Sequence, residues 1–185
     1  MANASTANNI FSRVHREVSQ EQKKQIAKQL GADVPFLREK PESMAAGGIG
    51  EILSPVQLHI SHPILIVKLK DAFISTVKAY SMLRITNREK QTDYGEIFRN
   101  MPEPSKWRDH LVNDFEEVAF GMHPVLFSLK QGLYKSGAEF ALMSGSGSAL
   151  FAIYADKATA QSAHEKLLRD YPDSTVFLSL HDFFT

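Results

Sequence analysis

The run Ala141-Leu142-Met143 leads into Ser144-Gly145-Ser146-Gly147-Ser148, and Ala149-Leu150-Phe151-Ala152-Ile153-Tyr154 leads out of it. This pattern constrains the fold more than any other stretch of the chain. Two apolar strands joined by so short a connection lie side by side, and their lack of polar positions predicts burial. Glycine tolerates φ > 0 and close approach of another backbone or a ligand. Serine adds hydroxyls, and successive backbone N–H groups in such a loop form an anion-binding nest. The loop is therefore a candidate site for a phosphate or a polar substrate. A plain glycine hairpin is the alternative, and the loop alone does not separate the two.

The chain on either side supplies helices and further strands. A first helix is predicted from Asn3 to about Glu17, with Ala7, Ile10, Phe11 and Val14 at helical spacing. Ser19 caps a second, with Gln22 completing a capping box and Gly31 ending it. Pro35 forbids helix and pushes Val34 toward extended geometry. Residues 38–50 read as a loop containing Gly47-Gly48-Ile49-Gly50. Ile52-Leu53 and Ile64 to Val67 read as strands. Ser75-Thr76 opens a helix to Leu83, and a short helix lies around Tyr94 to Phe98. Ser105 to about Phe120 is predicted as one helix, and Pro124 to Lys135 as another closed by Gly137. Asp156 caps a helix whose inner face carries Ala160, Ala163, Leu167 and Leu168. Ser174 to Leu180 is the final strand. The order β–α–α–α–β–β–α–β predicts an α+β fold, a mostly antiparallel sheet covered by helices.

Composition removes several function classes. The 185 residues suit one domain, or one domain with an appendage. Lys plus Arg equals Asp plus Glu at 21 each, which gives no electrostatic case for nucleic acid or an anionic membrane. There is no cysteine, so thiolate chemistry is excluded. No apolar run is long enough to span a bilayer, and no signal-peptide core follows the polar N-terminus; a cytoplasmic protein is expected. The chain lacks G-x-x-x-x-G-K-[ST] and G-x-S-x-G. His59 and His62, three apart in a strand-like segment, would point to opposite faces, so no metal site is expected.

Four places carry polar groups suited to chemistry. Asp33 follows a helix end and precedes Pro35, where a rigid turn suits it to act as a general base; a local turn bond is the alternative. Gly47 to Gly50 admits a ligand near the backbone, or is simply a turn. Thr76 and Tyr80 place a hydroxyl and an aromatic ring one turn apart, for stacking on a planar ligand or for the core. Asn113-Asp114, within the predicted 105–120 helix, either turn toward a cleft or are solvated.

In order along the chain, five motifs carry a resemblance. They are Leu30-Gly31-Ala32-Asp33-Val34-Pro35-Phe36, Gly48-Ile49-Gly50-Glu51-Ile52-Leu53-Ser54-Pro55-Val56, Ser75-Thr76 through Ala79-Tyr80, Asn113-Asp114-Phe115-Glu116, and Met143-Ser144-Gly145-Ser146-Gly147-Ser148. Together they resemble the 4-diphosphocytidyl-2-C-methyl-D-erythritol kinases of the GHMP kinase superfamily. The resemblance implies a GHMP kinase C-terminal domain over residues 59–185. Residues 1–58 would hold two helices left from the nucleotide-binding domain, with the aspartate turn and the glycine-rich loop. It implies ATP, Mg2+ and a cytidine-diphosphate-linked methylerythritol as small-molecule partners, with phosphate transferred to the 2-hydroxyl of the latter. Asp33 would take the hydroxyl proton. Gly48, Ile49, Gly50, Thr76 and Tyr80 would bind substrate, with Ile49 and Tyr80 sandwiching cytosine. Ser144, Gly145, Ser146, Gly147 and Ser148 would form the glycine-rich wall of the site.

The departures from the family pattern matter as much. The family's G-G-G-x-G-G-G-S-S-[DN]-A loop and its catalytic lysine have no counterpart, and Asn3 and Ala4 resemble that loop's last two residues. Phe36-Leu37 is one aromatic short, Ala45-Ala46-Gly47-Gly48 is longer than usual, and Lys68-Leu69-Lys70 replaces a proline. The expectation is a C-terminal portion that is inactive alone, with a homo-oligomer left open. The alternatives are a non-catalytic binding or oligomerising α+β module, or another GHMP kinase. The G-A-D-V-P-F and G-I-G-E-I-L segments argue against the last.

Overall fold

The computed structural model describes residues 43–47, 52–56, 58, 60–83 and 93–179, with the single positions 19, 22, 25, 26, 29 and 34. The chain divides into two compact units. One comprises Met1–His59 with Asp93–Asn100, and the other Ile60–Thr92 with Met101–Thr185.

In the first unit the predicted capping box is present. The Gln22 N–H donates to Ser19 Oγ at 3.2 Å, and the Ser19 N–H donates to Gln22 Oε1 at 2.9 Å. Val34 is helical and buried, not extended. Burial of a valine side chain is worth roughly 1.5–3 kcal/mol, enough to outweigh the bias imposed by a following proline. Part of the expected 38–50 loop is a strand: β1 (Met44–Gly47) pairs antiparallel with β2 (Ile52–Pro55), from Met44↔Pro55 to Gly47↔Ile52. Its sequence, Met-Ala-Ala-Gly, has little strand propensity, so the pairing with β2 makes the strand. Ser43 extends the ladder, its carbonyl accepting the Val56 N–H at 3.1 Å. Helix α1 (Tyr94–Asn100) starts at Asp93, whose carboxylate accepts the Glu96 N–H at 3.0 Å.

The second unit is built on a four-stranded sheet. It contains β3 (Ile64–Lys68), α2 (Thr76–Met82), a 3-10 turn (Pro104–Lys106), α3 (Phe115–Met122), α4 (Pro124–Lys135), β4 (Ala138–Met143), β5 (Leu150–Tyr154), α5 (Lys157–Asp170) and β6 (Thr175–Ser179). The strand order is β4–β5–β3–β6, antiparallel throughout. Of the segment expected to be strand-like around His59 and His62, residues 60–62 are not strand; the adjoining Pro63 carbonyl accepts the Tyr154 N–H of β5 at 3.0 Å, and His62 Nε2 lies 3.8 Å from Glu139.

One sheet face carries the core. Leu65, Val67, Ala141, Met143, Leu150 and Ala152 pack with Leu126, Leu129 and Leu133 of α4 and Ala160, Ala163 and Leu167 of α5. The leucines recur three and four apart, which gives α4 one apolar stripe, and the alanines let α5 approach closely. Leu168 lies outside this face and is 43% exposed, contrary to expectation. The Tyr154 hydroxyl, 3.0 Å from Ser136 Oγ, keeps its proton above the usual tyrosine range because burial disfavours the phenolate.

The predicted helix from Ser105 to Phe120 is broken. Trp107 is buried edge-on against Phe140, and its Nε1–H donates to the Met101 carbonyl at 2.7 Å. The Phe115 N–H donates to Asn113 Oδ1 at 3.0 Å, so a side chain replaces the backbone acceptor that a continuous helix would supply. Among the described residues, four α-helices and a 3-10 turn thus separate β3 from β4 along the chain, one α-helix in each of the four segments expected to be helical.

Candidate functional site

Met143 pairs with Leu150 at the mouth of the β4–β5 hairpin, and the Ser/Gly loop extends beyond that pair. The Ser144 N–H donates to the Ala149 carbonyl at 2.8 Å, and the Gly147 N–H to the Ser144 carbonyl at 3.1 Å. Gly145 and Gly147 have φ of 55° and 94°, in the region that disfavours side chains. A Cβ on Gly147 would lie 2.8 Å from Met143 Sδ, so the loop is packed down on the core at that point. Ser148 is 2% exposed, and its hydroxyl has no partner among the described residues. A buried hydroxyl left in that state costs about 1–3 kcal/mol, which an oxygen-rich ligand would recover.

Side chains from three elements run along the outer edge of β4. An edge strand presents unpaired backbone groups, and here those of Ala141 and Met143 are met by side chains. The Tyr134 hydroxyl donates to the Ala141 carbonyl at 3.0 Å and accepts the Ala141 N–H at 3.1 Å. Glu116 Oε1 accepts the Met143 N–H at 2.9 Å. Asn113 Nδ2 donates to the Met143 carbonyl at 2.7 Å and to the Gly145 carbonyl at 2.8 Å. Lys130 holds the Glu116 carboxylate through both oxygens, at 2.8 and 2.6 Å.

Helix α2 reaches the loop from the other side. Ser75, expected as a capping hydroxyl, makes no side-chain cap bond. Thr76 Oγ1 instead lies 3.0 Å from Ser146 Oγ. One turn on, Tyr80 is 63% exposed and touches Phe115 edge-on, ring centroids 4.8 Å apart. An exposed aromatic face beside a Ser/Gly loop suits a planar ring carrying a phosphate or diphosphate.

The predicted residues Thr76, Tyr80 and Ser144 to Ser148 are thus brought into one neighbourhood. Asp33, Gly48, Ile49, Gly50, Asn3 and Ala4 lie outside the described residues. Asn113, read from sequence as either turned toward a cleft or solvated, turns its carboxamide toward the loop. The Glu116–Lys130 pair was not singled out as one; the partners are fourteen residues apart on different helices, and only the fold joins them. Among the described residues no three His, Asp or Glu side chains gather to hold a metal ion, and no helix is long and apolar enough to cross a membrane. A separate cavity of about 350 Å³, lined by Lys70, Asp71, Val125, Tyr171 and Asp173 among others, includes no loop residue.

Residues 90–173 match the family of GHMP kinases, C-terminal. The chain is 40% identical over 140 residues to 4-diphosphocytidyl-2-C-methyl-D-erythritol kinase of Azobacteroides pseudotrichonymphae, covering 74% of this chain and 50% of that protein. It is 41% identical over 130 residues to the enzyme of that name from Parabacteroides distasonis, covering 70% and 46%. The chain spans about half the length of these curated relatives. A crystal structure of 4-(cytidine 5'-diphospho)-2C-methyl-D-erythritol kinase superposes with a TM-score of 0.68 at 26% identity, over 95% of this chain and 63% of the other. Homoserine kinase from Cytophaga hutchinsonii, at 15% identity and a TM-score of 0.63 over 93% and 61%, shares the fold.

Proposed function

Residues 90–173 form a GHMP kinase C-terminal domain, and on that premise we propose that this chain carries the acceptor-substrate side of a small-molecule kinase. Its substrate is 4-diphosphocytidyl-2-C-methyl-D-erythritol, phosphorylated on the 2-hydroxyl from ATP. The observation that carries the reading is the 3.0 Å link between Thr76 and Ser146 beside an exposed Tyr80 ring. It joins a hydroxyl-bearing helix start, a Ser/Gly loop and a stacking surface, which together match a base carrying a diphosphate. The relatives are named for the same substrate class.

The residues divide the work by chemistry. Tyr80 stacks on the cytosine ring; Ile49, Gly48 and Gly50 are assigned to the same substrate by the resemblance alone. Thr76 and the loop from Ser144 to Ser148 supply hydroxyl and N–H donors to phosphate oxygens. Asp33 takes the proton of the attacking hydroxyl. Phosphoryl transfer needs positioning and charge neutralisation more than covalent chemistry, and these groups suit it. The unpartnered Ser148 hydroxyl fits a phosphate-bearing ligand. Mg2+ would arrive with the nucleotide and neutralise phosphate charge.

The chain by itself does not turn over, because its sequence contains neither the Gly-rich nucleotide loop nor the family's lysine. We infer the 1–58 and 59–185 division from the same resemblance. The test incubates the purified chain with ATP, Mg2+ and the cytidyl substrate, and separately titrates it with cytidine diphosphate. Binding without turnover is expected. Turnover at ordinary kinase rates would overturn the inactivity, and no cytidine diphosphate binding would overturn the substrate assignment. A scaffold or oligomerising role would then be the better reading.

A further inference from the structure

We infer that Asn113 and the Glu116–Lys130 pair are positioning residues that set the shape of the Ser144–Ser148 loop for a phosphate-bearing ligand; this rests on the kinase reading above. A tight hairpin needs no partner beyond its own ladder. Here the entry to the loop is held on both sides. Met143 pairs with Leu150 on the inner side. On the outer side its N–H goes to Glu116 at 2.9 Å and its carbonyl to Asn113 at 2.7 Å. The same carboxamide holds the Gly145 carbonyl at 2.8 Å, fixing the first glycine of the loop.

The two anchors are themselves fixed. Glu116 is chelated by Lys130, with both side chains only 15% exposed. Asn113 is oriented by the Phe115 N–H on its Oδ1, which turns its Nδ2 toward the loop. Among the described residues the loop's internal backbone bonds use the N–H groups of Ser144 and Gly147. Those of Gly145, Ser146 and Ser148 take no part in these bonds. Carbonyls held outward by Asn113 leave those N–H groups to face a ligand, as in an anion-binding nest.

The test uses the full chain and the variant Asn113→Asp. The aspartate still accepts the Phe115 N–H but cannot donate to either carbonyl, so the start of α3 is spared while the loop is released. Hydrogen exchange at the Ser144 and Gly147 amides is expected to rise about tenfold, and the dissociation constant of cytidine diphosphate to rise by about the same factor. Amides in β3 and β5 should stay protected. Asn113→Gln, which restores the carboxamide, should recover part of both effects. If Asn113→Asp does not fold, Lys130→Gln frees Glu116 and should raise loop exchange as well. Unchanged exchange at Ser144 and Gly147 in the folded variants would overturn the positioning role. If the wild-type chain itself binds no cytidine diphosphate, the kinase reading falls and loop exchange alone decides the role of Asn113.

Discussion

Thr76 Oγ1 lies 3.0 Å from Ser146 Oγ, across seventy residues of chain. The bond is no helix cap, since it joins two hydroxyls and takes up no backbone N–H, but it ties the start of α2 to the middle of the loop. Thr76→Val keeps the shape and removes the hydroxyl. It should cost about 0.5–1 kcal/mol of stability, because both groups are exposed and water replaces the partner. Urea unfolding of Thr76→Val, Ser146→Ala and the double variant measures this. A coupling near zero would show that the contact carries no stability.

Tyr80 separates binding from folding. Its ring is 63% exposed and meets Phe115 only edge-on, so Tyr80→Ala should leave the unfolding midpoint almost unchanged. Base–aromatic stacking is worth about 1–3 kcal/mol, so the same variant should weaken cytidine diphosphate binding by roughly tenfold or more. Calorimetric titration checks it. Equal affinity in wild type and variant would remove Tyr80 from the site.

The parts of this fold legible from sequence are those fixed by local chemistry. Pro124 and Gly137 bound α4 because one residue fits a helix start and the other supplies the φ of 95° that follows its end. Ser19 and Gln22 form their box because the partners are three residues apart. The Ser/Gly loop announced its two strands by apolarity alone. The break before Phe115 was missed because Trp107 ends the local pattern by burying against Phe140, a residue thirty-three positions away. Reading Asn113 as a helix-start residue, which its side chain favours, would have found that break. Strand β1 was missed for a similar reason, since Met44 to Gly47 becomes a strand only through its partner β2.

Asp156 makes the stability of α5 depend on pH. Its carboxylate accepts the Thr159 N–H and the Thr159 hydroxyl, both at 2.8 Å, and these bonds hold its pKa below the ordinary value of 3.8. A lowered pKa in the folded state means the carboxylate stabilises the fold above that ordinary value. The contribution fades as pH falls through the lowered one. At pH 7 Asp156→Ala should therefore unfold at lower urea than wild type, and the gap should narrow below about pH 4. Denaturation at several pH values tests this, and a gap independent of pH would exclude the charged cap as its source.

Lys130 and Glu116 form a part-buried ion pair near the loop, 2.6 Å apart and each 15% exposed. Removing one partner strands the other in a poorly solvated place, at a cost of about 3 kcal/mol. Lys130→Met should therefore destabilise strongly, because it leaves Glu116 with the Met143 N–H as its remaining bond in the structure. Glu116→Gln should cost less, since the amide oxygen still accepts that N–H while the ammonium loses its countercharge. Combining Glu116→Gln with Lys130→Met in one chain should cost less than the sum of the two single changes, since neither charge is then left alone. The double-mutant cycle, read by urea unfolding, should return a coupling of about 2 kcal/mol. Additive single effects would mean that the pair does not act as a unit, and that the edge of β4 is held by Asn113 and Tyr134 without it.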